Sequence, residues 1–76
     1  MIGPRLTLAA IYPDGDRWAA QLYAGTEQAG GLAGYASREE CQDATAALLR
    51  QLDQCPPLLA LASLAAADAL AASLLD

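Results

Sequence analysis

Apolar positions recur at helical spacing through the middle of the chain, between Ser37 and Gln54. One face of that helix carries Cys41, Ala44, Thr45, Leu48, Leu49, Leu52 and Cys55. The opposite face carries Glu39, Asp43, Ala46, Arg50 and Asp53. Ser37 and Glu40 have the spacing of a capping box, in which each side chain bonds the backbone N–H of the other residue. The pattern therefore predicts a helix over Ser37–Gln54.

Two earlier stretches alternate between apolar and other positions, which is the spacing of β-strands. They are Arg5–Tyr12 and Arg17–Ala24. The segment Pro13-Asp14-Gly15-Asp16 between them has turn composition, because proline presets φ and glycine tolerates a positive φ. The arrangement predicts a β-hairpin.

A third strand is predicted after the hairpin, although its sequence alternates less regularly than the first two. Gly25–Gln28 is expected to form a second turn, and Leu32–Tyr35 a short strand that leads into the helix. Whether residues 29–35 all join the strand stays open, since glycines weaken strands. The glycines Gly30, Gly31 and Gly34 match no nucleotide-binding loop.

The C-terminal segment is the most apolar part of the chain. Pro56-Pro57 ends the central helix, and Leu58–Leu75 is predicted to be a second helix, with leucines around most of its circumference. Such a helix needs cover on all sides, so the pattern predicts self-association, most simply a homodimer. The residues assigned to this contact are Leu58, Leu61, Leu64, Leu70 and Leu74. A membrane anchor is the rival interpretation, but Asp68 within the segment argues against it.

These elements predict one small α+β domain. Residues 1–57 are expected to form an antiparallel sheet of two to three strands covered by one amphipathic helix. Residues 58–76 are expected to add the apolar helix as a dimerisation element. A chain of 76 residues lies near the lower limit for an adequate core without further support.

Charge and composition narrow the function. The net charge of −5 disfavours direct contact with a phosphate backbone and fits either solubility or docking on a basic surface. The chain contains no His or Lys, so histidine-dependent nucleophiles, histidine zinc sites and lysine Schiff bases are excluded. We predict no enzyme activity, no cofactor and no metal. The abundance of Ala, Leu, Gly and Arg fits a GC-rich bacterial or phage genome.

The two cysteines favour a reducing compartment. On one continuous helix, Cys41 and Cys55 would lie about 21 Å apart, which is beyond disulfide reach. Core packing is the favoured role of Cys41, and an intermolecular disulfide of Cys55 remains a minor alternative. The N-terminal segment has too short an apolar run for a signal peptide. We therefore expect the cytoplasm.

The aromatic side chains divide between the two sides of the predicted hairpin. Alternation assigns Tyr12 and Trp18 together to the core side. Tyr23 points to the other side, and Tyr35 lies at the end of the third strand. Tyrosine is enriched at protein interfaces. The candidate partner-binding residues are Tyr23, Tyr35, Glu39 and Asp43.

Two segments carry resemblances to known families. The stretch Asp14-Gly15-Asp16-Arg17-Trp18-Ala19-Ala20-Gln21, followed by Gly34-Tyr35-Ala36-Ser37-Arg38-Glu39-Glu40, resembles the HicB-like antitoxin fold. It is also similar to the arm-binding domain of phage integrases and to a small bacterial repeat with Gly-Tyr-x-Ser before its helix. The integrase resemblance implies DNA binding through a basic sheet, whereas this sheet offers only Arg5 and Arg17.

The leading hypothesis is a non-enzymatic protein-binding module. The absence of the usual catalytic residue types, the acidity and the excess of apolar helix favour a small phage or bacterial inhibitor, antitoxin-like or anti-CRISPR-like. One alternative is a homo-oligomeric structural protein. Another is a nucleic-acid-binding module that uses its sheet.

Overall fold

Three antiparallel strands, a helix, a short fourth strand and a second helix follow one another along the chain. The computed structural model describes residues 5–74. The elements are β1 (Leu8–Asp14), β2 (Arg17–Ala24), β3 (Glu27–Tyr35), α1 (Arg38–Gln51), β4 (Leu58–Ala60) and α2 (Leu64–Ser73). The strands form one mixed sheet in the order β3-β2-β1-β4, in which β4 runs parallel to β1. The predicted α+β class is confirmed, but the sheet is larger than the two to three antiparallel strands predicted.

The two helices pack on opposite faces of the sheet. Odd-numbered residues of β1 share clusters with the inner face of α1, and even-numbered residues share a cluster with α2. The first side includes Ala9, Ile11, Cys41 and Leu49. The second side includes Leu8, Ala10, Ala67 and Ala71. Because β1 is covered on both faces, its sequence is apolar at nearly every position rather than alternating with polar residues.

Two-residue turns connect the three antiparallel strands. Gly15 and Gly25 begin these turns with φ of 65° and 67°, where glycine avoids the steric cost of a Cβ. A two-residue turn pairs even-numbered residues of β1 with odd-numbered residues of β2. Tyr12 and Trp18 therefore lie on opposite faces, so their predicted placement on one side is wrong. The error arose because alternation within each strand does not fix the register between strands.

β3 is longer than the sequence predicted, and it is irregular. It begins at Glu27, inside the predicted turn, and its pairing with β2 shifts register at two places. Gly30 and Gly34 have φ of 151° and 86°, which glycine adopts at little cost. A Cβ on Gly31 would lie 2.9 Å from the backbone oxygen of Ala20. The same glycines that argued against a long strand in the sequence therefore permit the irregular pairing of β3 with β2.

The helix α1 is confirmed, but it is shorter than Ser37–Gln54. Ser37 is the N-cap, and its Oγ accepts a hydrogen bond from the backbone N–H of Glu40 at 3.1 Å. At the other end, Asp53 N–H donates to the Arg50 carbonyl, and Gln54 N–H donates to the Leu49 carbonyl. These bonds form a Schellman motif, with Asp53 left-handed at φ 56°. The motif ends the helix before the proline pair.

The predicted helix Leu58–Leu75 is wrong, because the segment contains a strand and a shorter helix. The Pro57 carbonyl accepts from Ala9 N–H at 2.8 Å, and Leu61 N–H donates to the Ile11 carbonyl at 2.7 Å. A new cap at Ser63, whose Oγ accepts from Ala66 N–H, then starts α2. Leucines occurred on all sides of the predicted helix because residues of β4 and of α2 were assigned to one continuous helix. Residues 1–4 and 75–76, including Leu75, lie outside the described residues.

Candidate interaction surface

The outer face of α1 presents acidic side chains on a rigid support. Glu39 and Asp43 are exposed, as the helical spacing predicted, and Glu40, which was assigned to the capping box, is exposed as well. Glu39 and Glu40 lie in the first turn. Negative charge there is stabilised by the positive end of the helix dipole. The inner face holds the helix to the sheet through Cys41, Thr45 and Leu49, which are buried. We call Glu39, Glu40 and Asp43 the acidic face of α1.

Tyr35 lies beside the start of the acidic face. It ends β3, two residues before the N-cap Ser37, and it is half-buried. Its ring packs against the cluster of Ile11, Ala20 and Cys41. The remaining exposed part of Tyr35 therefore belongs to an anchored side chain, which loses little conformational entropy on contact with a partner.

Tyr23 was predicted to face a partner, and this placement is wrong. Its side chain is fully buried under α2. The Tyr23 hydroxyl donates to Oδ1 of Asp68 at 2.5 Å, and Nε2 of Gln28 donates to the same oxygen at 3.2 Å. Burial, followed by the hydrogen bond to Asp68, raises the pKa of the Tyr23 hydroxyl above its ordinary value. The structure thus brings Tyr35, Glu39 and Asp43 to one side of the molecule and leaves Tyr23 on the other.

Most leucines assigned to self-association are used inside the fold. Leu58 packs against the α1-side clusters, and Leu61 and Leu70 pack against the α2-side cluster. Leu64 is half-buried at the start of α2. Only Leu74 of that set is a strongly exposed side chain, at 47 % of its surface.

Leu59, which was not among the predicted contact residues, lies in the middle of β4 and is 42 % exposed. A three-residue strand has no measurable periodicity, so nothing in the pattern separated this leucine from its neighbours. Leu52, which the helical spacing assigned to the inner face of α1, is also exposed, because α1 ends there as its C-cap. Leu59 and the strand β4 around it are the second candidate contact surface.

The next features concern the cysteine thiols, metal binding and membrane crossing within the described residues. Burial raises the pKa of the Cys41 thiol, which keeps it protonated and weakly reactive, whereas Cys55 is exposed and lies beyond α1. Within residues 5–74, no three or more Cys, Asp or Glu side chains group as a metal site would require. Over the same residues, no helix combines the length and apolarity needed to cross a bilayer.

Comparisons with protein-family models, with curated proteins and with solved structures found no match to this chain. The resemblances carried by the hairpin turn and the α1 cap therefore stay hypotheses.

Proposed function

We propose that the protein is a non-enzymatic protein-binding module that docks on a basic surface of its partner through the acidic face of α1. The observation that carries the proposal is the exposure of Glu39, Glu40 and Asp43 on a helix whose inner face is fixed to the sheet. Tyr35, at the start of this face, supplies an anchored aromatic contact. A phage or bacterial inhibitor, antitoxin-like or anti-CRISPR-like, would act by covering a basic surface of this kind.

The charge of the acidic face predicts how the association rate with the partner depends on salt. An acidic face raises the rate of encounter with a basic partner, and its effect weakens as salt shortens the range of the charges. Both faces of β1 are covered by helices, and the strands contain one basic residue, Arg17, with Arg5 preceding β1. These features favour a protein partner over nucleic acid. The buried and exposed free cysteines fit a reducing cytoplasm.

The test is affinity capture from nuclease-treated lysate of the source cells, with recovered proteins quantified against the bait. Asp43→Lys is compared with Glu27→Lys, a matched change of an exposed acid at the opposite end of β3 from α1. We expect one protein to be recovered near equimolar with wild type and with Glu27→Lys. Asp43→Lys should weaken that capture about tenfold, since it places a like charge at the contact.

Two results would overturn the proposal. One is that the wild-type bait recovers no macromolecule. The other is that both charge changes reduce capture equally, which would mean that net charge rather than the acidic face matters.

Self-assembly is the second candidate, and the exposure of Leu59 on the edge strand β4 favours it. Exposed leucines on a small domain are covered when two copies associate. In this candidate the protein is a homodimer, and the dimer is compatible with partner binding because α1 is a separate element from β4 and α2.

A further inference from the structure

β4 is an edge strand of the sheet, in which Leu58 packs on the α1 side and Leu59 is exposed. It is last in the sheet order β3-β2-β1-β4, and within residues 5–74 it pairs only with β1. The helices pack mainly over β1 and β2, and α1 also over β3. Among the described residues, the outer edge of β4 is therefore open to another strand.

The hydrogen bonds to β1 determine which backbone groups face outward. Pro57 O and Leu61 N are bonded to β1, and bonding groups alternate along a strand. With the register that pairs Ala10 with Leu59, the amide and carbonyl of Leu59 also face β1. Leu58 and Ala60 consequently direct their N–H and C=O groups to the open side.

We propose that β4 pairs antiparallel with β4 of a second copy of this chain, centred on Leu59. This deepens the proposed self-association and rests on it. The two outward-facing residues lie symmetrically about Leu59, so Leu58 of each copy would meet Ala60 of the other. Each such pair exchanges two N–H···O bonds. The two Leu59 side chains would face each other at the centre, where Cα atoms are about 4.5 Å apart in a pair without hydrogen bonds.

The charge pattern selects a second copy as the occupant. No charged residue occurs between Asp53 and Asp68, so two chains of charge −5 can meet along β4 without opposing carboxylates. A basic peptide would find no acid to pair with on this strand. The other edge, β3, is interrupted by two register shifts, so it offers no regular ladder. The exposed part of Leu59 is the apolar surface that the pairing buries.

The test is sedimentation equilibrium of the full chain over a range of concentrations. Wild type should show a reversible monomer–dimer equilibrium. Leu59→Asp places two carboxylates in direct opposition and should raise the dissociation constant by about tenfold or more. The matched control is Leu74→Asp, because Leu74 has similar exposure but lies at the end of α2. The control should leave the dissociation constant within about twofold.

A second variant probes the backbone directly. Ala60→Pro removes an N–H that faces away from β1, so the β1–β4 pairing keeps its bonds while two of the four bonds between copies are lost. We expect this variant to be monomeric at concentrations where wild type is dimeric. At concentrations where both are monomeric, their urea midpoints should agree. If Ala60→Pro does not fold, Leu59→Asp decides alone.

The outcomes separate the two proposals. A wild type that stays monomeric up to about 1 mM overturns both self-association and the β4 pairing. A dimer that survives Leu59→Asp but is lost with Leu74→Asp overturns the β4 pairing alone and assigns the contact to α2.

Discussion

The hydrogen bond between Tyr23 and Asp68 is expected to hold α2 on the sheet, and Tyr23→Phe tests this. The hydroxyl is buried, and its acceptor is a carboxylate on α2. Hydrogen bonds to charged groups contribute about 1.5–3 kcal/mol. Asp68 is itself exposed and retains Gln28 as a donor, so water can replace the lost hydroxyl. We therefore expect the low end, about 1.5 kcal/mol of lost unfolding free energy.

Asp68→Ala removes the other partner and should cost slightly more, about 2 kcal/mol, because it leaves a buried hydroxyl without its acceptor. The double variant should lose less than the sum of the two single losses. The difference measures the coupling of the pair, expected to be about 1.5 kcal/mol. For a chain of this size, Tyr23→Phe should lower Tm by about 6–12 °C.

The assay is urea unfolding followed by far-UV circular dichroism and by fluorescence of Trp18, the single tryptophan of the chain. Hydrogen exchange of the α2 amides gives a local reading, since the variant should expose these amides before those of α1. A loss of unfolding free energy below about 0.5 kcal/mol for Tyr23→Phe, or two single losses that simply add, would show that this hydrogen bond does not hold α2 on the sheet.

Alkaline pH gives an independent check of the same contact. The pKa of Tyr23 is raised in the folded state, so folding favours the protonated hydroxyl. The stability linked to Tyr23 is fully present below the unfolded pKa of about 10 and is lost as pH rises above it. Tyr12 and Cys41 also have raised pKa values and add to the alkaline loss in every variant. Wild type should therefore lose more stability than Tyr23→Phe above pH ~10, and parallel losses would contradict the assignment.

Three further substitution and labelling experiments test local geometry. Asp53→Gly should stabilise the protein by about 0.5 kcal/mol, because glycine relieves the left-handed backbone of the α1 C-terminus, whereas Asp53→Ala should not; urea midpoints decide between these results. Gly31→Ala should destabilise by about 1–2 kcal/mol, since its Cβ would press on a backbone oxygen that cannot rotate away, and an unchanged midpoint would contradict the close approach. A thiol reagent should label Cys55 at once and Cys41 only after unfolding, and fast labelling of both thiols would show that α1 does not protect Cys41.

The central helix and the hairpin were predictable because their signals are local. The cap at Ser37, the apolar face through Cys41 and Leu49, and the glycines of the turns each act within a few residues. The exposure of Glu39 and Asp43 followed from the same periodicity. This part of the candidate surface could therefore be read from the sequence.

The features that sequence analysis missed depend on contacts between distant residues. β4 is recognisable only through its pairing with β1, and three residues carry no period of their own. The burial of Tyr23 follows from the register of the first turn and from a helix 45 residues away. Leu59 is exposed because β4 lies at the edge of the sheet, which only the pairing with β1 determines. Long-range pairing, rather than local propensity, decided each of these cases.

The central position of β1 determines the order in which the protein can be completed during synthesis. β1, β2, β3 and α1 emerge first, and together they can bury the side of β1 that carries Ala9 and Ile11. The other side of the nascent sheet, with Leu8 and Tyr23, stays in water until α2 has been made. A ribosome-bound chain at that stage has one finished layer and one bare apolar layer, which is a surface that chaperones recognise. The helix α2, which follows every other element of residues 5–74, therefore closes this side of the sheet.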